Sequence, residues 1–500
     1  MKNTIKFIIV AAAATLCATS CHKDLDIVYD NALSASNMWK DPSDLEQSVP
    51  GIYKRMRGFF SGNECNVFYF GELRVGDYMW GTSLESKVND NFKIAVRHST
   101  MTGSNTNGWS GLYSTIDQAN AVLSHADECA ATKARTDWAK AQAYFARAFS
   151  YFYAARIWGD VPLNLKPVES TAQEECYPER ATVSSVLKQV GDDIAACEAL
   201  GDVLGSEKYF GTAAALNMLK AEYSLWMYTQ CGGDKTYLDN AQTALQSLNL
   251  SQSSLLDDYS KVFDRTNKVN SEIVFAMNNT ASSTAGYQVY FCHPSNLIAS
   301  QYRNNPVPIS STQWLSYPQS FVDKLKAQEQ AGDKRVATNL GYGPYSAATD
   351  KHEITWCNKL LGDMTKSPVV LDNDLLYYRY GYAVMMLAEL KYYQGKYSES
   401  LDAINIIAKR AYGNNYYSDT SKDAVFKALI DEYFYEFPAE GVIYWALIRT
   451  GKIWEMAPNS EIPSQTFKTL KEKNPNILLW PIANSSITKN SKLSQTEGWS

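Results

Sequence analysis

The stretch YAVMMLAELKYYQGKYSESLDAINIIAKRA, residues 382–411, decides the fold class of this chain. Apolar and small residues recur at three-and-four spacing on both sides of a break at Gln394-Gly395-Lys396. That period is typical of amphipathic helices, and a glycine between polar residues is typical of a turn. The stretch therefore predicts two consecutive helices joined by a tight turn.

Working outward, a second helical pair is predicted over residues 214–248, where AALNMLKAEYSLWMYTQ is followed by GGDKTYLDN and AQTALQSL. In the first pair the glycine stands eight residues after Leu387 and is followed by Tyr397 and Leu401, a pattern similar to that of tetratricopeptide repeats. Both copies are degenerate and they lie far apart in the chain. A simple solenoid is therefore not expected.

A third helix is predicted over residues 137–157, DWAKAQAYFARAFSYFYAARI, with a stripe of small and aromatic residues on its buried face. Directly after it, Gly159 and Pro162 predict a helix exit with a structural role, because glycine tolerates unusual backbone angles and proline restricts the residue before it. Long irregular insertions at 281–318 and 341–374 are candidates for function. No stretch alternates like a strand. We expect a mostly α chain that forms one large domain with long loop insertions.

The N-terminus reads MKNTIKFIIVAAAATLCATSCHKD. Lys2 and Lys6 precede an apolar run that is too short to span a bilayer, which takes about 20 apolar residues. Small residues follow the run, so residues 1–20 are predicted to be a secretory signal peptide. Cys21 then stands first in the mature chain, as in the lipobox of bacterial lipoproteins, and is predicted to carry palmitate-type acyl chains on a membrane. The alternative is a secreted soluble protein in which Cys21 is incidental.

The charge and the cysteines limit the possible partners and bonds. Without residues 1–20, the chain holds 45 basic and 53 acidic residues, a formal charge of −8. Nucleic acid attracts basic surfaces, so it is not expected as a partner. Beyond Cys17 and Cys21 an odd number of widely spaced cysteines remains, with no CxxC pair. These are predicted to be mostly free thiols rather than a disulfide framework.

Motifs for catalysis are absent from the sequence. There is no Walker loop, no HExxH, no GxSxG and no zinc-ligand spacing, and His352-Glu353 lacks the second histidine of a zincin. Carboxylates are plentiful, so a glycosidase pair stays open, but nothing marks two of them. The sequence therefore predicts a binding protein with no catalytic residue, no cofactor and no metal.

One long interval is nearly free of charge. Between Glu272 and Asp323, Arg303 is the single charged residue among aromatic and amide side chains. Aromatic planes beside amides suit a neutral sugar, since its C–H face packs on a ring while its hydroxyls take directed hydrogen bonds. A second such stretch is FGELRVGDYMWGTS, residues 70–83. The predicted glycan contacts are Trp80 and Trp314 by stacking, with Tyr78, Tyr287, Tyr290, Tyr302, Arg74, Asp77 and Arg303 around them. The alternative is that these aromatics pack against the helices.

Six ordered stretches resemble the RagB/SusD family of nutrient-binding lipoproteins. They are Asp24-Leu25-Asp26 with Trp39 and DLEQSVPGIYKRM; WSGLYSTIDQANAVL with Asn120; YFARAFSYFYAARIWGDVPL; YRYGYAVMMLAEL with Arg379 and Glu389; IDEYFYEFPAEGVIYWALIR with Glu432, Glu436, Phe437, Glu440, Gly441 and Arg449; and NILLWPIANSSITKNSKLSQTEGW. The chain departs from the family pattern at Tyr433, Ile443, Ala446, Ala483 and Thr496. We expect these departures to affect packing only.

The resemblance implies an α-helical fold with four tetratricopeptide-like hairpins and no catalysis. It divides residues 21–500 into a SusD-like part at about 21–230 and a RagB/SusD part at about 270–500. It also implies an outer-membrane lipoprotein that captures a glycan for a SusC-like, TonB-dependent transporter. Two alternatives remain open: a peptide or sialoglycoprotein binder in which Arg303 meets a carboxylate, and a helical-repeat scaffold or hydrolase without a nutrient role.

Overall fold

The computed structural model describes residues 38–62, 65–76, 79–80, 101–170, 176–280, 291, 315–344, 353–363, 365–366, 370–459 and 462–500. Helices dominate this part of the chain, as predicted. The helices are α1 (Pro42–Ser61), α2 (Asn66–Gly71), α3 (Ser110–His125), α4 (Lys133–Trp158), α5 (Val183–Ala199), α6 (Ala213–Gln230), α7 (Lys235–Gln246), α8 (Gln319–Gln330), α9 (Val336–Asn339), α10 (Tyr380–Tyr393), α11 (Tyr397–Tyr412), α12 (Lys422–Glu436), α13 (Ile443–Thr450), α14 (Phe467–Lys471) and α15 (Asn484–Lys489). Short 3₁₀ turns occupy Gln252–Ser254, Tyr259–Phe263 and Lys452–Glu455.

The strands of the described residues are short and pair two by two. They are β1 (Met79–Trp80), β2 (Val161–Pro162), β3 (Arg180–Ala181), β4 (Ile273–Met277), β5 (Leu315–Ser316), β6 (Gly341–Pro344), β7 (Glu353–Trp356) and β8 (Leu375–Arg379). The antiparallel pairs are β1–β5, β2–β3, β4–β8 and β6–β7. No larger sheet forms among these strands, so the helices carry the core.

Both predicted helical hairpins are confirmed. Helices α10 and α11 are joined at Gln394-Gly395-Lys396, and Gly395 adopts a φ of +73°, which residues with a side chain rarely adopt. The Ser400 hydroxyl of α11 donates to the carbonyl of Ala388 in α10 at 2.8 Å and so ties the pair together. Helices α6 and α7 form the second pair, and the carboxylate of Asp234 accepts from the backbone N–H of Thr236 at the start of α7.

Helix α4 is buried more completely than its sequence predicts. Instead of one buried stripe, every residue from 145 to 158 is buried, while Tyr144, which the stripe includes, is only partly covered. The reason is that α4 packs against α1, α3 and α5 at once. A helix covered on several sides cannot show the one-sided pattern on which the prediction rests.

The exit from α4 has the structural character that the sequence predicts. Gly159 adopts a φ of +71° and its N–H donates to the carbonyl of Ala155. The next residue, Asp160, accepts at Oδ1 from the backbone N–H of Val183 at 2.7 Å, the first residue of α5. Asp160 therefore joins the end of α4 to the start of α5.

The departures from the family pattern fall in the core. Ile443 and Ala446 are buried among apolar side chains, and Tyr433 is buried with its hydroxyl donating to Glu389. Cysteines 65, 129, 176, 197, 231 and 357 are free thiols, which confirms the prediction for the described residues. No helix in the described part is long and apolar enough to cross a membrane. Residues 1–20 and Cys21 lie outside the described residues.

Candidate functional site

The two stretches with predicted tryptophan contacts meet through their backbones. In the β1–β5 ladder, Met79 is paired with Ser316 and Trp80 with Leu315. Residues directly opposite in an antiparallel pair have Cα atoms about 4.5–5.5 Å apart. Leu315 follows Trp314 in the chain. The ladder therefore brings the end of the charge-poor interval beside Trp80, although more than 200 residues separate them in sequence.

A third segment joins this ladder from the second long insertion. The backbone N–H of Tyr317, just after β5, donates to the Thr355 hydroxyl of β7 at 2.9 Å. In the β6–β7 hairpin Tyr342 is paired with Thr355. The hydrogen bond between Tyr317 and Thr355 thus connects the two strand pairs, and we call the four strands β1, β5, β6 and β7 the strand platform.

The strand platform presents an aromatic residue that sequence reasoning missed. Tyr342 is 49 % exposed, and Lys326 Nζ lies 4.6 Å from the centroid of its ring. The neighbouring Gly341 is required because a Cβ there would meet the indole of Trp356 at about 2.2 Å. The signal in the sequence is a tyrosine between two glycines, Gly341 and Gly343, within the second long insertion.

The structure overturns the prediction that Arg74 contacts the ligand. Arg74 is fully buried, and its guanidinium donates to the carbonyls of Ile477 at 2.5 Å and Leu479 at 3.2 Å. Its charge also lies 5.1 Å from the ring centroid of Trp480, and burial lowers its pKa. The residue therefore fastens the C-terminal segment to the core. A sequence pattern does not separate a buried arginine that binds carbonyls from an exposed one.

Two aromatics of the charge-poor interval also belong to the core. Phe291 stacks on Phe68 with ring centroids 5.7 Å apart, and Tyr317 donates from its hydroxyl to the carbonyl of Asn339 at 3.0 Å. The packing alternative is therefore correct for these two. For Trp80 the structure gives the backbone position. The other predicted contacts lie outside the described residues: Asp77, Tyr78, Tyr287, Tyr290, Tyr302, Arg303 and Trp314.

A large group of buried charges surrounds Glu432 and Glu436 of α12 and has the appearance of a catalytic centre. We call it the C-terminal charge cluster. Its members are Arg335, Lys359, Arg379 and Arg410 with Glu272, Asp333, Glu432, Glu436 and Glu440. All of these side chains are at most 8 % exposed.

Every charge of the C-terminal charge cluster has an ion-pair partner inside the cluster, although the buried Nε of Arg410 makes no hydrogen bond. Arg379 Nε lies 2.6 Å from Glu440, and Arg335 Nη1 lies 2.6 Å from Glu432. Burial would raise the pKa of Glu436, but Arg410, Arg379 and Arg335 outweigh burial and hold that pKa well below its usual range. Charges that are buried and fully paired with each other have no surface at which a substrate could bind. The cluster is therefore structural.

A second buried chain of charges serves the same purpose. Arg156 pairs with Glu222 at 2.6 Å, and Arg449 pairs with Glu389 at 2.8 Å and approaches Glu222 at 3.4 Å. The Tyr433 hydroxyl also donates to Glu389, so a tyrosine helps to satisfy this buried carboxylate. Among the described residues, no group of three or more His, Cys, Asp or Glu side chains is arranged to hold a metal ion.

Two family models match the chain. A model described as "Starch-binding associating with outer membrane" matches residues 56–220, and the model of the SusD family matches residues 262–499. This chain belongs to the SusD family. A SusD-like protein, P38, from Formosa agariphila is 24 % identical, with 98 % of each chain covered.

Solved structures agree with this assignment. B. fragilis NanU is 26 % identical in sequence to this SusD-family protein. The two structures align over 94 % of this chain and all of the NanU chain, with a TM-score of 0.77. Surface glycan-binding protein A from Bacteroides thetaiotaomicron, in complex with laminarihexaose, is 18 % identical in sequence. Its structure aligns over 91 % of this chain and 99 % of its own chain, with a TM-score of 0.73. The predicted SusD-like helical fold is confirmed.

Proposed function

We propose that this SusD-family protein captures a neutral oligo- or polysaccharide outside the cell and delivers it to a SusC-like, TonB-dependent outer-membrane transporter. The observation that carries the proposal is the β1–β5 ladder, which pairs Trp80 with Leu315 and so unites the two stretches that are richest in candidate sugar contacts. The transporter partnership rests on the family alone.

The chemistry of the strand platform supports a neutral sugar. Tyr342 of the platform is exposed, and Trp80 and Trp314 lie on the two stretches that β1 and β5 bring together. Amide side chains outnumber charges in the charge-poor interval that contains β5. A pyranose offers an apolar C–H face to a ring and hydroxyls to amides. An anionic ligand would find a single counter-charge in the interval, Arg303, among many amide and aromatic side chains.

The comparisons support the same proposal. One matched family model is named for starch binding and for association with the outer membrane, and a structural neighbour is a glycan-binding protein in complex with laminarihexaose. The neighbour shares the fold at 18 % identity, so its ligand is not carried over. We propose a glycan as the ligand class and leave its sugar and linkage to experiment.

A panel of native affinity gels tests this proposal. Gels containing amylopectin, laminarin, xyloglucan or gastric mucin are compared with gels that contain no polysaccharide. We expect at least one neutral polysaccharide to retard the protein, with micromolar or weaker affinity, because an open platform buries little area and exchanges water hydrogen bonds for protein ones. Retardation by sialylated mucin alone, or binding only to peptides, would contradict the proposal.

The proposed anchoring is tested separately. We propose that Cys21 is acylated after removal of residues 1–20, since two or three acyl chains hold a protein durably on a membrane. Cys21→Ala should leave the protein folded and release it from the membrane fraction. The assay is done in cells that lack the proposed barrel partner, and persistence of the variant in the membrane fraction there would show that the anchor lies elsewhere.

A further inference from the structure

A cleft beside the start of α3 encloses about 950 Å³. Its walls are the end of α1, the first two turns of α3, the segment that follows α4, and α15. No described residue of the strand platform lines it. We call it the α3 cleft. Its volume lies within the range of about 300–1,000 Å³ that is typical of ligand pockets.

A buried amide framework fixes the floor of the α3 cleft. Asn107 Nδ2 donates to Asn66 Oδ1 at 2.8 Å, and Asn120 Nδ2 donates to the carbonyl of Asn164 at 3.0 Å. Arg147 in turn donates to Asn120 Oδ1 at 2.8 Å. These hydrogen bonds link α2, α3, α4 and the segment after α4, so the cleft is formed before any ligand arrives.

Above this floor, α3 presents a row of groups that can bind hydroxyls. Ser110, Ser114 and Asp117 lie at successive i, i+4 and i+7 positions, which places them on one helix face. Asp117 accepts at Oδ1 from the backbone N–H of Val168 at 2.8 Å, and within the described residues its Oδ2 accepts no hydrogen bond. Ser114 Oγ accepts from Arg55, which leaves its own O–H to donate.

Aromatic and apolar groups complete the lining. Trp109 and Tyr113 stand at the start of α3, and Tyr177, which is 50 % exposed, lies at the rim with exposed Val168. A ring plane beside a row of hydroxyl and carboxylate oxygens matches the two faces of a sugar.

The charge of the lining selects the class of ligand. Among the described residues that line the cleft, Asp117 and Lys489 are the charged ones, one of each sign. An anionic or cationic ligand would gain no net attraction there. A neutral polyhydroxyl ligand fits this balance.

We propose that the α3 cleft is a second carbohydrate-binding site that holds a neutral segment of the same polysaccharide as the strand platform. The identity of the ligand rests on the proposed function. The geometry of the α3 cleft is independent of the strand platform. Two sites on one chain would retain a long polymer better than either site alone, because the second contact forms at high effective concentration.

Substitution of Gly58 can test the cleft by adding a side chain to its wall. Gly58 lies on α1 at the wall, and a Cβ added there meets no heavy atom within 4 Å. Gly58→Trp should place an indole at the cleft wall and narrow the cleft, and Gly58→Ala is the matched control, since both changes remove the same helix-weakening glycine. Asp117→Asn serves as a second variant with no added bulk.

The variants are compared in affinity gels that contain whichever of amylopectin, laminarin or xyloglucan retards the wild type most, with circular dichroism as the check of folding. We expect Gly58→Trp and Asp117→Asn to weaken binding about two- to tenfold, the equivalent of one hydrogen bond, and Gly58→Ala to bind as the wild type does.

The possible outcomes separate the two proposals. If no neutral polysaccharide retards the wild type, the proposed function fails and the second site fails with it. If the wild type is retarded while Gly58→Trp and Asp117→Asn both bind normally, only the α3 cleft proposal is overturned. The α3 cleft proposal would also be overturned if Gly58→Trp is retarded as the wild type is but no longer co-purifies with the transporter. That result would show that the cleft is a protein interface.

Discussion

The C-terminal charge cluster and the α3 cleft are both rich in polar groups, but they are built in opposite ways. In the cluster, nine charged side chains are at most 8 % exposed and each forms an ion pair with another member, as Arg379 does with Glu436 and Glu440. In the cleft, polar groups such as Asp117 have one protein partner and an open side. A dense set of charges therefore marks a structural element here, and partly satisfied groups on a cavity wall mark a candidate site.

The physical reason for the difference is desolvation. A charge taken out of water stays favourable only if its partners replace the lost hydration, and removal of one partner leaves the other uncompensated. An exposed oxygen on a cavity wall keeps water until a ligand hydroxyl replaces it, so it adds little to stability. Substitution of a group that holds the fold should therefore reduce stability, and substitution of a group that is available to a ligand should reduce binding.

The largest effect is expected from Arg379→Leu. This change leaves Glu272, Glu436 and Glu440 buried without one of their cations. We expect the free energy of unfolding to fall by about 3–5 kcal/mol, measured by urea denaturation. Lys188→Ala, which breaks an exposed pair with Asp192, is the control and should cost at most about 0.5 kcal/mol. Equal effects of the two substitutions would refute the structural role of the cluster.

A smaller effect on stability is expected from Asp160→Ala. The variant loses the acceptor for the backbone N–H of Val183, a contact similar to a helix cap, so we expect a loss of about 0.5–2 kcal/mol and a lower melting temperature. Asp160→Asn keeps an oxygen at this place and should lose less. Glycan affinity per folded molecule should not change, and a large loss of affinity at unchanged stability would move this segment into the binding site.

The smallest effect is expected from Tyr342→Ala on the strand platform. Since this tyrosine is half exposed, its removal should hardly change stability. We expect binding to weaken about two- to tenfold, the scale of one aromatic contact, as measured by affinity gels. Tyr416→Ala, another exposed tyrosine that stacks on Tyr412, is the control and should bind normally. If both variants bind normally, Tyr342 is not a ligand contact.

The sequence predicts the helical scaffold well, because the three-and-four spacing of apolar residues records directly which helix faces are covered. It predicts the hairpin at Gly395 and the exit at Gly159, since both need backbone angles that glycine supplies. It fails where burial comes from several sides at once, as in α4. It also fails for long-range contacts, because nothing near Arg74 shows that its partners are the carbonyls of Ile477 and Leu479.

The candidate site is predicted less completely for a related reason. Composition identifies two aromatic stretches, but only the β1–β5 register shows that they meet. The exposure of Tyr342 depends on the β6–β7 hairpin and the close approach of Trp356 to Gly341, which no local pattern encodes. The α3 cleft arises from five separate segments of the chain, and its partly satisfied groups become visible only when those segments are packed together.

The most direct test of the proposed function is titration calorimetry of Trp80→Ala and Trp314→Ala against the polysaccharide that the gels identify. We expect each variant to remain folded and to lose about 1–3 kcal/mol of binding free energy, the scale of one buried aromatic contact. This corresponds to a loss of affinity of roughly five- to more than hundredfold. If both variants fold and bind as the wild type does, the strand platform is structural and the proposed ligand site is wrong.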